Sequence, residues 1–197
     1  MVEYNQNLAA PKNFYRFMKL FNIVTLGRFL EENSLAVALK AFAEFYHSVS
    51  RKYQKKTKLT LIDKRYHQSL NEKVIAEMGI QDCVSLLTLQ HQKEIQAAYR
   101  TGSLLLLARK INSSSIIKES FLYGLPILCY EHASHSNLVD SSNSMTFYYE
   151  NDYQAIQDFA RNLNLLNFDP DAVSFLKKGA ASKYEKDLSW GKRIGAG

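Results

Sequence analysis

The sequence predicts an α/β domain in which a parallel sheet is covered by helices on both faces, and three observations support this prediction. Short segments rich in Val, Ile, Leu, Phe and Tyr alternate with longer segments of helical period. The short segments are apolar on both of their faces, as is usual for strands buried between two layers. The connections are short, and a strand, helix, strand succession of this kind builds a parallel sheet. We therefore expect a three-layer, Rossmann-like α/β/α domain with a six-stranded parallel sheet.

Six segments are predicted to be strands, because each is apolar and too short for a stable helix. They comprise residues 21–26, 58–62, 83–87, 103–108, 126–130 and 145–149. The segments between and after them repeat apolar residues at three- and four-residue steps, which predicts helices that pack one face on the sheet. Ser34 and Asp152 are predicted to cap two of these helices, and Asp169-Pro170 to start the last one. Gly79, Gly102 and Gly124 are predicted to end three others, as glycines that can adopt the left-handed conformation.

The chain of 197 residues has room for one domain, since domains usually hold about 100 to 200 residues. We assign residues 1–20 to an N-terminal connector, 21–190 to the Rossmann-like domain and 191–197 to a C-terminal tail. No apolar run approaches the roughly 18 residues of a membrane-spanning helix, and no secretory signal opens the chain. Cys83 and Cys129 lie in apolar surroundings and are expected to be buried free thiols. Together these features predict a cytoplasmic location.

The chain is basic, with 25 Lys and Arg against 19 Asp and Glu and a net charge of +6. Such an excess favours anionic partners. Residues 51–58 carry five positive charges, which we interpret as the solvated end of a helix. No aromatic stacking platform accompanies them, so we expect no nucleic-acid partner. The basic and aromatic segment 12–20 is interpreted as a connector between domains, with peripheral contact to a membrane surface as the alternative.

Cationic and hydroxyl side chains follow the predicted strands at the edge where parallel sheets bind their ligands. Gly27 and Arg28 follow the first strand, and Arg109 and Lys110 follow the fourth. Ser113, Ser114 and Ser115 then stand where the next helix begins, so that unpaired N–H groups and the helix dipole add to the positive charge. This pattern is typical of a phosphate site. The alternative, that the serines only cap the helix and the arginines are solvated, remains open at this stage.

Other enzyme chemistry lacks support in the sequence. Gly27 stands without the glycine spacing of a dinucleotide fold or of a nucleoside triphosphatase. A Gly-x-Ser-x-Gly nucleophile elbow is also missing. His132 and His135 are three residues apart, but no third ligand is evident, so we expect no metal site and no cofactor.

The order of these segments resembles the C-terminal, nucleotide-sugar-binding half of retaining GT-B glycosyltransferases, the group often called family four or group one. The resemblance covers about residues 21–190. It rests on Ile-Val-Thr-Leu-Gly-Arg-Phe at 23–29, the strand at 103–108, and above all Lys-Glu-Ser-Phe-Leu-Tyr-Gly-Leu-Pro-Ile at 118–127. Residues 137–147 and the Leu188-Ser189-Trp190 segment are similar to later parts of the family pattern.

The resemblance implies a donor-binding domain that helps to transfer a hexose from a nucleotide diphosphate sugar to a hydroxyl acceptor, in polysaccharide or glycoconjugate biosynthesis. It implies that Arg28 binds the donor diphosphate and that Glu119 accepts hydrogen bonds from the ribose hydroxyls. It further implies an acceptor-binding N-terminal domain as the missing partner. Without that half, the chain alone is not expected to catalyse the transfer.

The chain also departs from the family pattern at four places. Ile111 stands where the resemblance implies a first glutamate, and Asn33 where it implies a lysine. The segment Asp63-Lys64-Arg65 and Thr88 replace glycines usual after the second and third strands. These departures support a second hypothesis, a degenerate glycosyltransferase-like module that acts in partner binding or regulation without catalysis.

Overall fold

The computed structural model describes residues 20–27, 32–63, 68–88, 90–108, 114–131 and 136–188. It contains one sheet of six parallel strands in the order β3-β2-β1-β4-β5-β6, which confirms the predicted fold class. The strands are β1 (Phe21–Leu26), β2 (Thr57–Asp63), β3 (Val84–Thr88), β4 (Leu104–Leu107), β5 (Ile127–Tyr130) and β6 (Ser144–Phe147). The helices are α1 (Glu32–Ser48), α2 (Arg51–Gln54), α3 (Gln68–Glu77), α4 (Gln92–Thr101), α5 (Ser114–Leu122), α6 (Asp152–Phe168) and α7 (Pro170–Lys183).

The predicted strands agree with the observed ones to within two residues at each end, but two predicted helix caps were wrong. Helix α1 already begins at Glu32, so Ser34 lies inside its first turn and is buried. Asn151 rather than Asp152 caps α6, because its extended backbone lets its side-chain oxygen accept a hydrogen bond from the Gln154 N–H at 2.9 Å. The start of α7 is as predicted, with the Asp169 carboxylate accepting from the Ala172 N–H.

Other local predictions hold. Gly79 and Gly124 have positive φ values of 66° and 63°, so both end their helices in the left-handed conformation that favours glycine. Gly102 ends α4 as predicted, but its φ of −57° lies outside that conformation. Cys83 and Cys129 are buried free thiols, although Cys83 lies in a short 3₁₀ turn before β3 rather than in the strand itself.

The sheet separates two apolar cores, because successive side chains of a strand point to opposite faces. Leu104 and Leu106 of β4 join the core beneath α1, α3 and α6. Leu105 and Leu107 join the core beneath α4 and α5 on the other face. This is why β4 and β5 at the centre of the sheet are continuous apolar runs rather than an alternation of polar and apolar residues.

Helix α7 crosses the edge of the sheet where the strands begin. Its Leu176 belongs to the core beneath α6, whereas its Ala180 belongs to the core beneath α5. The Lys177 ammonium donates to the carbonyl oxygen of Gly102, just before β4, at 2.7 Å. The last helix therefore closes the amino-terminal edge and leaves the opposite edge to the loops after the strands. Across the described part of the chain, no helix is long and apolar enough to cross a membrane.

Candidate functional site

The carboxyl-terminal edge of the sheet has a switch point between β1 and β4. These strands are neighbours, yet the helix that follows β1 packs on one face and the helix that follows β4 packs on the other. The two helices thus lie on opposite faces, and open α/β sheets bind ligands in the crevice at such a switch point. Of the residues predicted to bind an anion or a ribose here, the structure describes Gly27, Ser114, Ser115 and Glu119. Arg28, Arg109, Lys110 and Ser113 lie outside the described residues, as do Ile111, His132 and His135.

The start of α5 lies beside this crevice. Ser114 and Ser115 are its first two residues, the former half-buried and the latter exposed. Ile116 and Ile117 follow and are buried, which anchors the first turn on the sheet. Because the first N–H groups of a helix have no partner within the helix and carry the positive end of its dipole, this turn is suited to an anion.

Glu119 lies in the second turn of α5 and is half-buried. With a rise of about 1.5 Å per residue, it is roughly 7.5 Å along the helix axis from Ser114. The buried Ser120 beside it is directed inward, with its hydroxyl donating to the Leu125 carbonyl at 2.6 Å. Glu119 therefore lies on a helical turn that the Ser120 hydrogen bond joins to the loop before β5.

At the end of β1, Gly27 lies against the side chain of Asp63, the last residue of β2. The Gly27 N–H donates to the Ile62 carbonyl at 2.8 Å, which continues the pairing of the two strands by one residue. A β-carbon at position 27 would lie 2.9 Å from Cγ of Asp63 and 3.1 Å from each carboxylate oxygen. The Asp63 carboxylate therefore covers the face of Gly27 that a larger residue would fill.

A second polar pair continues this edge at the end of β3. Thr88 pairs in register with Asp63. Both its N–H and its hydroxyl lie within hydrogen-bond distance of Nδ1 of His91, at 3.1 and 3.0 Å, while the His91 N–H donates to the Thr88 carbonyl at 2.9 Å. Sequence reasoning missed His91, because no turn residue such as Gly, Pro, Asn or Asp marks this segment.

The far end of the same edge is aromatic. Tyr130 ends β5, packs against Phe147 and Tyr149, and its burial raises its pKa. Tyr148 follows β6 directly and is 73% exposed. Sequence reasoning predicted this segment as strand and so missed the exposed ring.

The structure also has a groove of about 510 Å³ at the opposite edge, beneath α7. Leu20, Phe21, Ser103 and Lys177 line it together with neighbouring residues. Because it lies where the strands begin, it is separate from the crevice described above. Among the described residues, no group of three or more His, Cys, Asp or Glu side chains could hold a metal ion.

No protein-family profile and no curated protein sequence matches the chain. Solved structures do match it. The chain superimposes on the pneumococcal O-GlcNAc transferase GtfA, solved with UDP and GlcNAc, with a TM-score of 0.68 and 16% identity, over 92% of this chain and 37% of that one. For Anabaena HepE, solved with UDP and glucose, the TM-score is 0.67 and the identity 14%, over 89% of this chain and 47% of that one.

The C-terminal domain of the group 1 glycosyltransferase LpcC from Francisella tularensis matches with a TM-score of 0.67 and 12% identity, over 86% of both chains. The chain thus spans less than half the length of the GtfA and HepE chains but the same extent as this single domain. The described residues therefore have the fold of one domain of a GT-B glycosyltransferase.

Proposed function

We propose that this chain is the donor-binding half of a retaining glycosyltransferase that transfers a hexose from a nucleotide diphosphate sugar to a hydroxyl acceptor. The observation that carries the proposal is the position of the α5 start, at the carboxyl end of β4 and next to the β1 end, in a fold shared with glycosyltransferases solved with UDP. The transfer would serve polysaccharide or glycoconjugate biosynthesis in the cytoplasm.

In this proposal the protein acts by positioning the donor and by stabilising the charge on the leaving diphosphate. The N–H groups at Ser114 and Ser115 bind the diphosphate together with Gly27, Arg28, Arg109, Lys110 and Ser113. Arginine suits this task because its planar guanidinium group stays charged and its N–H donors match the geometry of phosphate oxygens. The Glu119 carboxylate accepts hydrogen bonds from the ribose hydroxyls. No metal or further cofactor has a role in this scheme.

The acceptor hydroxyl would be held by a second domain. Residues 21–190 form the donor domain in this proposal, and residues 1–20 connect it to the acceptor-binding domain or touch a membrane surface. Since a GT-B active site lies between two such layers, this chain alone is expected to bind the donor without turning it over.

Calorimetric titration of the chain with UDP, GDP and ADP tests the proposal. A donor domain should bind one of the three bases preferentially, with inorganic pyrophosphate and the matching free nucleoside binding more weakly. Equal, weak binding of all three and of pyrophosphate would indicate only a generic anion site and would contradict the proposal.

The second candidate is a degenerate module that uses the fold for partner binding or regulation. The contact between Asp63 and Gly27 favours it, because the Asp63 side chain occupies the space beside this glycine. Ile111 and Asn33 favour it as well, since each removes a polar group implied by the resemblance. This candidate predicts that the same titrations detect no binding of UDP, GDP or ADP.

A further inference from the structure

The groove beneath α7, at the amino-terminal edge of the sheet, has the size and the apolar wall of a small-ligand site. Its volume of about 510 Å³ lies within the range of about 300 to 1,000 Å³ that is usual for such sites. Phe21 at the start of β1, Leu166 near the end of α6 and Val173 in the first turn of α7 all line it. Leu20 lines it as well and is 49% exposed. The groove therefore offers apolar surface to a ligand.

The charged residues that line this groove are all cationic. Lys56, Lys177 and Lys178 belong to its lining, and no Asp or Glu does among the described residues. The Lys177 ammonium is positioned by its hydrogen bond to the Gly102 carbonyl, and Lys178 is exposed one residue further along α7. Because its lining carries charge of one sign, the groove favours a ligand with an anionic group.

The side-chain amide of Asn167 gives the groove a hydrogen-bond donor that the protein does not use. Asn167 lies near the end of α6 and lines the groove. Its Nδ2 atom is buried and has no hydrogen-bond partner in the described part of the chain. Buried polar groups are nearly always paired, because an unpaired donor costs free energy. A ligand that supplies an acceptor here would pair this amide.

Charge also distinguishes between two candidate occupants of the groove. One is the chain's own segment 12–19, which is rich in aromatic residues and leads directly to Leu20. That segment carries Lys12, Arg16 and Lys19, and its positive charge makes it a poor match for a groove lined by lysines. A small amphiphile with an acidic head group has the complementary charge.

We propose that the groove beneath α7 binds a free fatty acid of medium chain length. The hydrocarbon chain lies along the apolar wall, the lining lysines stabilise the carboxylate by charge, and the carboxylate accepts a hydrogen bond from Nδ2 of Asn167. A cavity of this volume suits a single chain rather than a membrane lipid with two. The groove lies at the opposite edge of the sheet from the proposed donor site, so this inference does not depend on the proposed function.

Calorimetric titration of the full chain with sodium decanoate tests the proposal, with decanol as the neutral ligand of the same length. Decanoate should bind more tightly than decanol, because only its head group is attracted by the cationic lining. Asn167→Leu removes the amide and keeps a side chain of similar size. It should weaken decanoate binding at least about tenfold, the lower end for a hydrogen bond to a charged group, and should not weaken decanol binding.

Two further pairs of variants test the position of the ligand. Ser174→Trp places an indole in the groove from an exposed position of α7 and should abolish decanoate binding. Phe175→Trp places one at the next position, outside the lining, and should bind like the wild type. Lys178→Glu should weaken decanoate binding at least about threefold, and more at low salt. Lys93→Glu makes the same charge change at an exposed residue of α4 outside the lining and should have no effect. Urea denaturation checks that each variant folds.

Two results would overturn the proposal directly. One is that the wild type does not bind decanoate, and the other is that Ser174→Trp and Asn167→Leu bind it as tightly as the wild type, which would indicate non-specific adsorption. The competing occupant is tested in the full chain with Phe14→Ser and Phe17→Ser combined, since both residues belong to segment 12–19. Unchanged decanoate affinity in this variant supports the proposal. Clearly tighter binding would mean that the segment occupies the groove and would also overturn it.

Discussion

The backbone of Ser142 lies where a side chain at position 179 would have to be. A β-carbon on Gly179 would be 1.9 Å from the Ser142 carbonyl oxygen and 2.6 Å from its carbonyl carbon. Helix α7 and the loop before β6 therefore meet backbone to backbone, and the absence of a side chain at Gly179 permits this contact. The crossing of α7 over the amino-terminal edge depends on it.

Gly179→Ala should lower the free energy of unfolding by about 1 to 3 kcal/mol or more, because either the helix or the loop must shift. Helix propensity alone predicts the opposite change, because it favours alanine over glycine by about 1 kcal/mol. Urea denaturation measures the difference. Ser174→Ala, at an exposed position of the same helix, is the control and should stay within about 0.5 kcal/mol of the wild type. Equal stability of the two variants would show that the contact is not tight.

Asp140 belongs to the same loop, and its hydrogen bonds to Ser142 predict an acid dependence of stability. Its carboxylate accepts hydrogen bonds from the N–H and the hydroxyl of Ser142 at 2.8 and 2.5 Å, and these bonds hold the pKa of Asp140 below its ordinary value. A carboxyl group with a lowered folded pKa contributes stability above its unfolded pKa, and this contribution is lost as pH falls through the folded value.

We therefore expect wild-type stability to fall below about pH 4 more steeply than that of Asp140→Asn, when unfolding is followed from pH 6 to 2.5. Ser142→Ala removes only the hydroxyl donor and should give an intermediate slope. Parallel profiles for the wild type and Asp140→Asn would contradict the role assigned to these bonds.

Cys129 predicts the opposite dependence at alkaline pH. Burial raises the pKa of its thiol from 9.0 to about 12, so the thiol stays protonated in the folded chain while it ionises in the unfolded one. Stability is then fully present below pH 9 and is lost as pH rises toward the folded value, with a slope of up to about 1.4 kcal/mol per pH unit.

Cys129→Ala should be less stable than the wild type at pH 8 because it leaves a cavity, but this deficit should shrink between pH 9 and 11. Cys83→Ala is the comparison, because the pKa of Cys83 is raised only to about 11 and its deficit should stop shrinking at a lower pH. A Cys129→Ala deficit that does not change with pH would mean that the thiol is not buried as described.

Glu119→Ala should weaken binding of the preferred nucleoside diphosphate by about 1.5 to 3 kcal/mol, or about ten- to 150-fold, the range for hydrogen bonds to a charged group. Urea denaturation of the variant checks separately that the fold is retained. Calorimetry measures the affinity, with Lys118→Ala as the control at the exposed neighbouring position. Unchanged affinity in Glu119→Ala, with wild-type binding established, rejects the ribose role.

The sequence by itself determined the strands and most of the helices. Segments such as Leu104–Leu107 are apolar on both faces, and a short, fully apolar segment between helices is typical of a buried parallel strand. The helix ends at Gly79 and Gly124 and the helix start at Asp169-Pro170 could also be predicted from the sequence. Backbone conformation and hydrogen bonding at a helix end depend on a few adjacent residues.

Only the tertiary structure decided which distant residues meet. That Asp63 covers Gly27, that Ser142 occupies the space beside Gly179 and that Thr88 lies next to Asp63 all follow from strand order, register and helix crossing. These contacts join residues far apart in the chain, and no local pattern encodes them. Even the cap of α6 depended on the backbone of Asn151 rather than on residue type, because Asn151 and Asp152 are equally good capping residues. Local chemistry therefore specified the elements, and their packing placed the polar groups at the edge of the sheet.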